Sequence, residues 1–131
     1  MVASIRRIDR GGVYVVDDPT DEAIAEARRH VERFRAPAEI RRELTEFITQ
    51  AGSLVWTRGG LDPAKRSLTT IGVLVARGNL GPLREHIEIG LGNGLERREI
   101  TEAILQCSIY AGFPAMVAAM EVAADVFDAV D

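Results

Sequence analysis

Length, composition and charge exclude several classes of protein. The chain has 131 residues, the length of one compact domain, and its 47% hydrophobic and 27% charged residues are typical of a folded globule. A net charge of −4 argues against nucleic acid as a partner. The sequence contains neither the ~20-residue apolar run of a membrane span nor a secretory signal, and its single cysteine, Cys107, cannot form an internal disulfide. We therefore expect a cytoplasmic protein that does not associate with a membrane.

The first 18 residues differ in pattern from the rest of the chain. Residues 13–16 form a β-branched run that is too short and isolated to predict a sheet. We interpret residues 1–18 as an N-terminal arm that packs on a neighbouring subunit. Residues 19–131 are predicted to form a single all-helical domain.

Two helices are expected at the start of that domain. Thr20 or Asp21 can cap the first helix, and Pro37 ends it and opens the second. The second helix is predicted to run to an interruption at Gly52, followed by a loop over residues 56–60. Its expected buried face consists of apolar residues at helical spacing: Ile40, Leu44, Phe47, Ile48 and Ala51.

The third helix is predicted to lie in the middle of a bundle. Asp62 is a good N-cap and Pro63 a good first helical residue, so the helix is expected to run from Pro63 to Arg77, with Gly78 as its stop. After Arg66 its residues are apolar or small nearly all round, which is typical of a helix that is buried on several sides.

The fourth helix carries one of the two histidines of the chain. Pro82 is expected to begin it and Gly94 to end it. Its apolar face consists of Leu83, Ile87, Gly90 and Leu91, and His86 falls beside that face. Burying an imidazole without partners would cost about 1–3 kcal/mol, so a polar group or a ligand should meet His86. The alternative is a core histidine whose nitrogen is satisfied by a backbone carbonyl.

Two further helices complete the predicted set of six. One opens near Glu96 and Glu99 and runs towards Gly112, and the last begins at the corner formed by Phe113 and Pro114. Six helices with short connections predict an all-α bundle. The amount of apolar surface on helices this small favours an oligomer over a monomer.

The common motifs of cofactor and nucleophile chemistry are absent from the sequence. It has no Gly-rich phosphate loop after a strand, no G-x-S-x-G, no H-E-x-x-H and no paired cysteines, so we predict neither a cofactor nor a metal. The polar and aromatic residues at positions suited to a site are Trp56, Arg58, Arg66, His86, Cys107 and Tyr110. Each also has a structural explanation: an aromatic anchor, solvated or charge-neutralised arginines, a satisfied hydroxyl or a buried inert thiol.

Together these residues resemble the carboxymuconolactone decarboxylase family, and most closely the 4-carboxymuconolactone decarboxylases of protocatechuate breakdown. The likeness covers residues from about Phe34 to Phe127. It rests on an ordered series of motifs: Trp56-Thr57-Arg58-Gly59-Gly60-Leu61, Arg66-Ser67-Leu68 with TTIGVLVARG, Leu83-Arg84-Glu85-His86-Ile87, Gly92-Asn93-Gly94, Glu99-Ile100 and Tyr110-Ala111-Gly112-Phe113-Pro114.

The resemblance implies an alkylhydroperoxidase D-like helical subunit that forms trimers or hexamers, with active sites near subunit contacts. The peroxidase branch of this superfamily carries a C-x-x-C pair just before the histidine. Here Asn79 and Pro82 occupy those positions, so the nucleophilic and resolving sulfurs are both missing. A dithiol peroxidase is therefore not expected.

The decarboxylase branch acts on a small unsaturated lactone with two carboxylates, and the substrate serves as its own electron sink. The resemblance therefore implies a cofactor-free carboxy-lyase that must hold one carboxylate and return a proton to carbon. Arginine suits the first task and histidine the second. The implied site residues are His86 for proton transfer, Arg66 and Arg58 as carboxylate clamps, and Trp56 and Tyr110 as pocket walls.

One position departs from the family pattern. Decarboxylases of this branch carry an acidic residue two positions before Trp56, where this chain has Leu54. Either another acid takes over, with Glu85, Glu88 and Glu102 as candidates and an adjoining subunit as one source, or the chemistry has changed. Two alternatives therefore stay open: a diverged enzyme that catalyses another small-molecule reaction such as a cyclisation or isomerisation, and a non-catalytic oligomeric helical module.

Overall fold

The computed structural model describes residues 5–7, 14–16 and 19–131 of the chain. Within these ranges it contains six helices, which confirms the predicted all-α class: α1 (Asp21–Val31), α2 (Arg41–Trp56), α3 (Pro63–Arg77), α4 (Leu80–Gly92), α5 (Arg97–Ala111) and α6 (Phe113–Val130). The backbone divides into two compact units, Met1–Asp62 and Pro63–Asp131. The prediction of a single domain over residues 19–131 stays a prediction.

A short sheet precedes the helices, where the sequence pattern predicted none. Strands β1 (Ile5–Arg7) and β2 (Tyr14–Val16) pair antiparallel, with Ile5 opposite Val16 and Arg7 opposite Tyr14. The β-branched run that looked isolated therefore has a partner segment a few residues earlier in the chain. The rest of the predicted N-terminal arm lies outside the described residues.

The first unit contains α1 and α2, which pack against each other. Thr20 caps α1 as predicted, because its side-chain oxygen accepts a hydrogen bond from the backbone N–H of Ala23 at 3.2 Å. An ion pair of 3.0 Å between Arg28 and Glu46 links the two helices. The prediction that Pro37 separates them directly is wrong, since α1 ends at Val31 and a turn region precedes α2.

Helix α2 differs from the prediction in both its length and its buried face. It continues through Gly52 to Trp56, because one glycine inside a helix costs only about 1 kcal/mol and does not end it. The buried residues are Thr49 and Ser53, and the Ser53 hydroxyl donates to the Thr49 carbonyl at 2.6 Å. Phe47, predicted to be buried, is 69% exposed.

The second unit contains α3 to α6 and holds the main hydrophobic core. Helix α3 contacts α4, α5 and α6, which confirms its predicted central place in this unit. Its Ile71 and Val75 are fully buried. They pack with apolar residues of the other three helices and of the turn before α5: Leu83, Ile87, Leu95, Ile100, Ile104, Ala119, Ala123 and Val126.

Helices α3 and α4 end as predicted, at glycines with positive φ. After α4, Gly94 has φ of 96°, its N–H donates to the Leu91 carbonyl, and the Leu95 N–H donates to the Gly90 carbonyl. This pair of bonds is a Schellman motif. Gly78, with φ of 68°, ends α3 in the same way. Helix α4 begins at Leu80, two residues before the predicted start. None of the described helices is long and apolar enough to cross a membrane.

Candidate active site

His86 lies on α4 beside the buried face of that helix, as the spacing predicted. Leu83, Ile87 and Gly90 of that face are buried. His86 itself is half-buried, and its Nδ1 atom is shielded from solvent. The structure therefore places one edge of the imidazole inside the protein.

Arg66 lies on the first turn and a half of α3, one residue before the fully buried Ser67. Its side chain is half-buried, and its Nε atom is shielded from solvent. The backbone carbonyl of Arg66 accepts a hydrogen bond from the Thr70 hydroxyl at 2.9 Å. A partly shielded guanidinium is suited to holding an anion, because its planar fork of donors binds a carboxylate through two hydrogen bonds and is more weakly hydrated than an ammonium group.

Arg66 and His86 lie on the same face of the pair formed by α3 and α4. Helix α5 approaches α3 at Gly72, whose carbonyl is 3.9 Å from the Cys107 sulfur, and Gly72 is about 120° round the helix from Arg66. Helix α6 approaches α4 at Arg84, which pairs with Asp125 at 3.2 Å and is about 160° round the helix from His86. By helical direction, both side chains therefore point away from these two contacts, while Arg66 lies level with Asn93, about two helical turns along the pair from His86.

The same face includes Thr70 and Asn93, and we call these four residues, Arg66, Thr70, His86 and Asn93, the polar face of the α3–α4 pair. Asn93 follows His86 by seven residues, two helical turns, and so has nearly the same direction round α4. Its Nδ2 atom donates a hydrogen bond to the Ser67 hydroxyl at 2.9 Å. This bond joins the end of α4 to the start of α3, next to Arg66.

Sequence reasoning assigned no role to Ser67 or Asn93. Both belong to quoted motifs, but only the structure shows that they meet. The available signal was an asparagine just before the glycine that ends α4, a position where a short polar side chain can reach a neighbouring helix.

Trp56 and Arg58 belong to the first unit. Trp56 is the last residue of α2 and is half-buried, so the prediction that it lies in a loop is wrong. Arg58 follows two residues later and is exposed. Leu54, at the position where the resembling decarboxylases carry an acid, is 51% exposed on α2.

Tyr110 lies on α5 and does not point inward in the single chain, where it is 87% exposed. Its predicted role as a pocket wall stays a prediction. Cys107, three residues earlier, is half-buried, and burial raises the pKa of its thiol. Its sulfur lies 3.9 Å from the Gly72 carbonyl oxygen of α3, a direction about 120° round α3 from Arg66, which agrees with an inert thiol.

Three acids are candidates to replace the missing carboxylate. Two of them point in other directions round α4 than His86 does, and the third forms an ion pair on α5. Glu85 is about 100° and Glu88 about 160° round α4 from His86. Glu102, on α5, pairs with Arg98 at 2.7 Å. Among residues 19–131, no group of three or more His, Cys, Asp or Glu side chains is placed to hold a metal ion.

The model of the carboxymuconolactone decarboxylase family matches residues 42–125, well over half of the chain. The chain belongs to the carboxymuconolactone decarboxylase family. This confirms the resemblance that the motifs indicated. The matched range includes Leu54 and the implied site residues from Trp56 to Tyr110.

Two proteins with similar sequences are named decarboxylases. A 4-carboxymuconolactone decarboxylase of Acinetobacter baylyi is 43% identical over 90 residues, which cover 68% of this chain and 67% of the relative. A nitrosuccinic acid decarboxylase of Metarhizium robertsii is 33% identical over 117 residues, which cover 88% of this chain and 78% of the relative. The two relatives are named for different substrates, and both names describe loss of CO2.

Proposed function

We propose that this chain is a decarboxylase of a small dicarboxylic acid whose own structure accepts the electrons, and that it works without a cofactor. The observation that carries the proposal is the 43% identity over two thirds of the chain to a 4-carboxymuconolactone decarboxylase. The first candidate substrate is accordingly 4-carboxymuconolactone. The lone cysteine speaks against the dithiol peroxidase chemistry of the related branch.

The two substrates named for the relatives share one chemical feature. Each is a diacid with a built-in electron sink near one carboxylate, a conjugated lactone carbonyl in one case and a nitro group in the other. When the bond from carbon to CO2 breaks, its electron pair moves into that sink, as an enolate or a nitronate. A proton then adds to carbon. Such a reaction asks the protein to hold the second carboxylate, stabilise the developing negative charge and supply the proton.

The polar face of the α3–α4 pair has groups suited to two of these tasks. In the proposed mechanism the Arg66 guanidinium binds the carboxylate that is retained. The role of Arg58 as a second clamp stays a prediction. His86 donates the proton to carbon, since an imidazole exchanges protons near neutral pH. The shielding of Arg66 Nε and His86 Nδ1 from solvent supports these roles, because charges interact more strongly where water is excluded.

We further propose a homo-oligomer, a trimer or hexamer, in which a neighbouring subunit covers Tyr110 and lets it wall the substrate pocket. Large apolar side chains recur at a spacing of four residues through the corner between α5 and α6, and all are exposed: Leu105, Ile109, Phe113 and Val117. An exposed apolar patch of this kind marks an association surface. Light scattering measures the mass of the wild type and of Ile109→Arg, and we expect the charge in the patch to weaken the assembly. A monomeric wild type would refute the proposed oligomer.

The activity is tested with the pure protein and two substrates. We expect ultraviolet monitoring to show decay of 4-carboxymuconolactone, with CO2 released in equal amount. His86→Ala and Arg66→Ala should each lower kcat/KM by about 100-fold or more while the helical circular-dichroism spectrum stays unchanged.

Arg84→Ala is the matched control, because this arginine lies on the far side of α4 and pairs with Asp125. It should retain wild-type activity. Wild-type rates in both the His86 and Arg66 variants would remove these residues from the mechanism. A wild-type protein that releases no CO2 from either diacid would refute the decarboxylase.

A second candidate is a diverged family member with another substrate or another reaction, such as a cyclisation or isomerisation. Leu54 favours it, since an exposed leucine cannot orient or charge a histidine as a carboxylate would. The nitrosuccinic acid decarboxylase, which aligns with 88% of this chain, also shows that the family has relatives with different substrates. Turnover of nitrosuccinic acid and not of the lactone would favour a changed substrate, and turnover of neither would favour a changed reaction or the non-catalytic module.

A further inference from the structure

We propose that the hydrogen bond between Asn93 and Ser67 is a positioning contact of the active site: it fixes how far α4 slides along α3, and so sets the place of Arg66 relative to His86. The inference rests on the proposed decarboxylase function, because it concerns how these two residues act on one substrate. Neither Asn93 nor Ser67 touches the reacting atoms in this proposal.

The first support is where the bond lies. Ser67 is fully buried and directly follows Arg66, so a shift of its hydroxyl carries the Arg66 backbone with it. Asn93 is seven residues beyond His86 on the same side of α4, a rise of about 10 Å along the helix. A 2.9 Å bond between these residues therefore joins the segment that bears the arginine to the helix that bears the histidine.

The second support is that the backbone holds Asn93 in place without help from its side chain. Asn93 is the C-cap of α4, with φ of −84° and ψ of 3°, and it lies between the two bonds of the Schellman motif. These angles lie in the bridge region, which residues with a side chain adopt at position i+2 of type I turns, so alanine can adopt them too. The side-chain amide is therefore available for the contact with α3, and its removal should leave the end of α4 intact.

The third support is the packing of the two helices at the same level. A Cβ atom added at Gly90 would lie 3.5 Å from the Ile71 Cδ1 atom and 3.6 Å from the Ser67 Cβ atom, both on α3. These are ordinary van der Waals distances, so the two helices face each other one turn before Asn93 with room for a methyl group between them. Packing here does not lock the two helices together, and the polar bond adds a preference for one axial register.

Small errors in register matter for the proposed chemistry, because misplacement of a catalytic group by about 1 Å can lower a rate by 100-fold. We expect Asn93→Ala and Ser67→Ala each to lower kcat by about tenfold or more on 4-carboxymuconolactone, with a smaller change in KM. Asn93→Asp, which can still accept a hydrogen bond from the Ser67 hydroxyl, should recover part of the rate. Thr69→Ala is the matched control, since this exposed hydroxyl of α3 bonds only within its own helix, to the Lys65 carbonyl.

A double-mutant cycle separates positioning from simple destabilisation. If Asn93 acts through Arg66, Asn93→Ala should change kcat less than twofold in an Arg66→Lys background, where the guanidinium fork is already lost. If Asn93 has a merely structural role or contacts the substrate directly, the fold-losses of kcat in the two single variants should multiply in the double variant. That result, or a wild-type kcat in Asn93→Ala, would overturn the inference while leaving the decarboxylase intact. Failure of the wild type to decarboxylate either diacid would instead refute the proposed function, and this inference with it.

Discussion

Gly90→Ala tests how tightly the Leu95 side chain, in the turn after α4, packs against that helix. The substitution should favour the helix by about 1 kcal/mol through propensity alone. The new Cβ atom, however, would lie 3.0 Å from the Leu95 Cδ1 atom, well inside the 3.5–4.0 Å of an ordinary carbon contact. Leu95 is only 7% exposed, and its backbone N–H is bonded to the Gly90 carbonyl at 2.9 Å, so the side chain has little room to move.

The two effects oppose each other, and we expect the steric one to prevail. Overpacking a core typically costs about 1–3 kcal/mol, so the net result should be a loss of about 1 kcal/mol of unfolding free energy. Gly72→Ala is the matched control in the neighbouring helix α3. A Cβ atom at Gly72 would meet nothing within 4 Å, so this substitution should stabilise the protein by up to about 1 kcal/mol.

Thermal and urea unfolding, followed by circular dichroism at 222 nm, measure the difference. All variants are compared at one protein concentration, because an oligomer has a concentration-dependent Tm. A gap of about 2 kcal/mol corresponds to roughly 8 °C between the two alanine variants for a chain of this size. If Gly90→Ala melts as high as Gly72→Ala, the Leu95 side chain does not pack against Gly90 as tightly as the structure has it.

Three further outcomes are expected. Ile104→Ala removes a fully buried side chain from the core of the second unit and should lower the unfolding free energy by about 2–5 kcal/mol in the same urea assay. A loss below about 1 kcal/mol would mean that Ile104 does not lie in the core. The exposed pair with Arg97 lowers the pKa of the Asp131 carboxyl. The contribution of this pair to stability is therefore present above the ordinary carboxyl pKa of 3.8 and is lost as the pH falls through the lowered value. An NMR titration should show Asp131 ionising below 3.8 in wild type and near 3.8 in Arg97→Ala. Burial raises the pKa of Cys107, so iodoacetamide at pH 8 should modify this thiol more slowly in the native protein than in urea, and equal rates would contradict its burial.

The helices whose ends are set by local chemistry could be predicted from sequence. Helix α3 begins at Pro63 and ends before Gly78 as expected, because both residues act on the backbone directly. Gly94 likewise ends α4 with a positive φ. In α5 the Glu96 N–H donates to the Glu99 side chain at 2.8 Å, which is the acidic opening that the sequence indicated.

The buried face of α2 could not be predicted, because apolar residues there do not mark the interior. Phe47 is largely exposed, while Thr49 and Ser53 are buried. Sequence periodicity identifies which residues avoid water, and it does not say whether the rest of the same chain or another subunit covers them. The same limit applies to Tyr110, which is exposed in a single chain and whose predicted role as a pocket wall stays a prediction.

The sequence predicts which residues belong to the candidate site more readily than how those residues are placed relative to one another. The family and the place of His86 beside an apolar face followed from motifs and helical spacing. That Arg66 lies on the same side of the α3–α4 pair follows only from which helices pack against α3 and α4. The bond between Ser67 and Asn93 joins residues 26 positions apart, and no local pattern encodes such a contact.

The proposed chemistry explains why register between two helices could matter more than a large set of catalytic groups. When the substrate supplies its own electron sink, the protein needs chiefly a cation for one carboxylate and an acid for one carbon, a fixed distance apart. In the proposed site these are Arg66 and His86, which lie on α3 and α4, two helices joined by a short turn. The turn tethers the end of α3 to the start of α4, but Arg66 lies at the opposite end of α3 from it. In the proposal, the bond between Asn93 and Ser67 supplies a second tie at that far end.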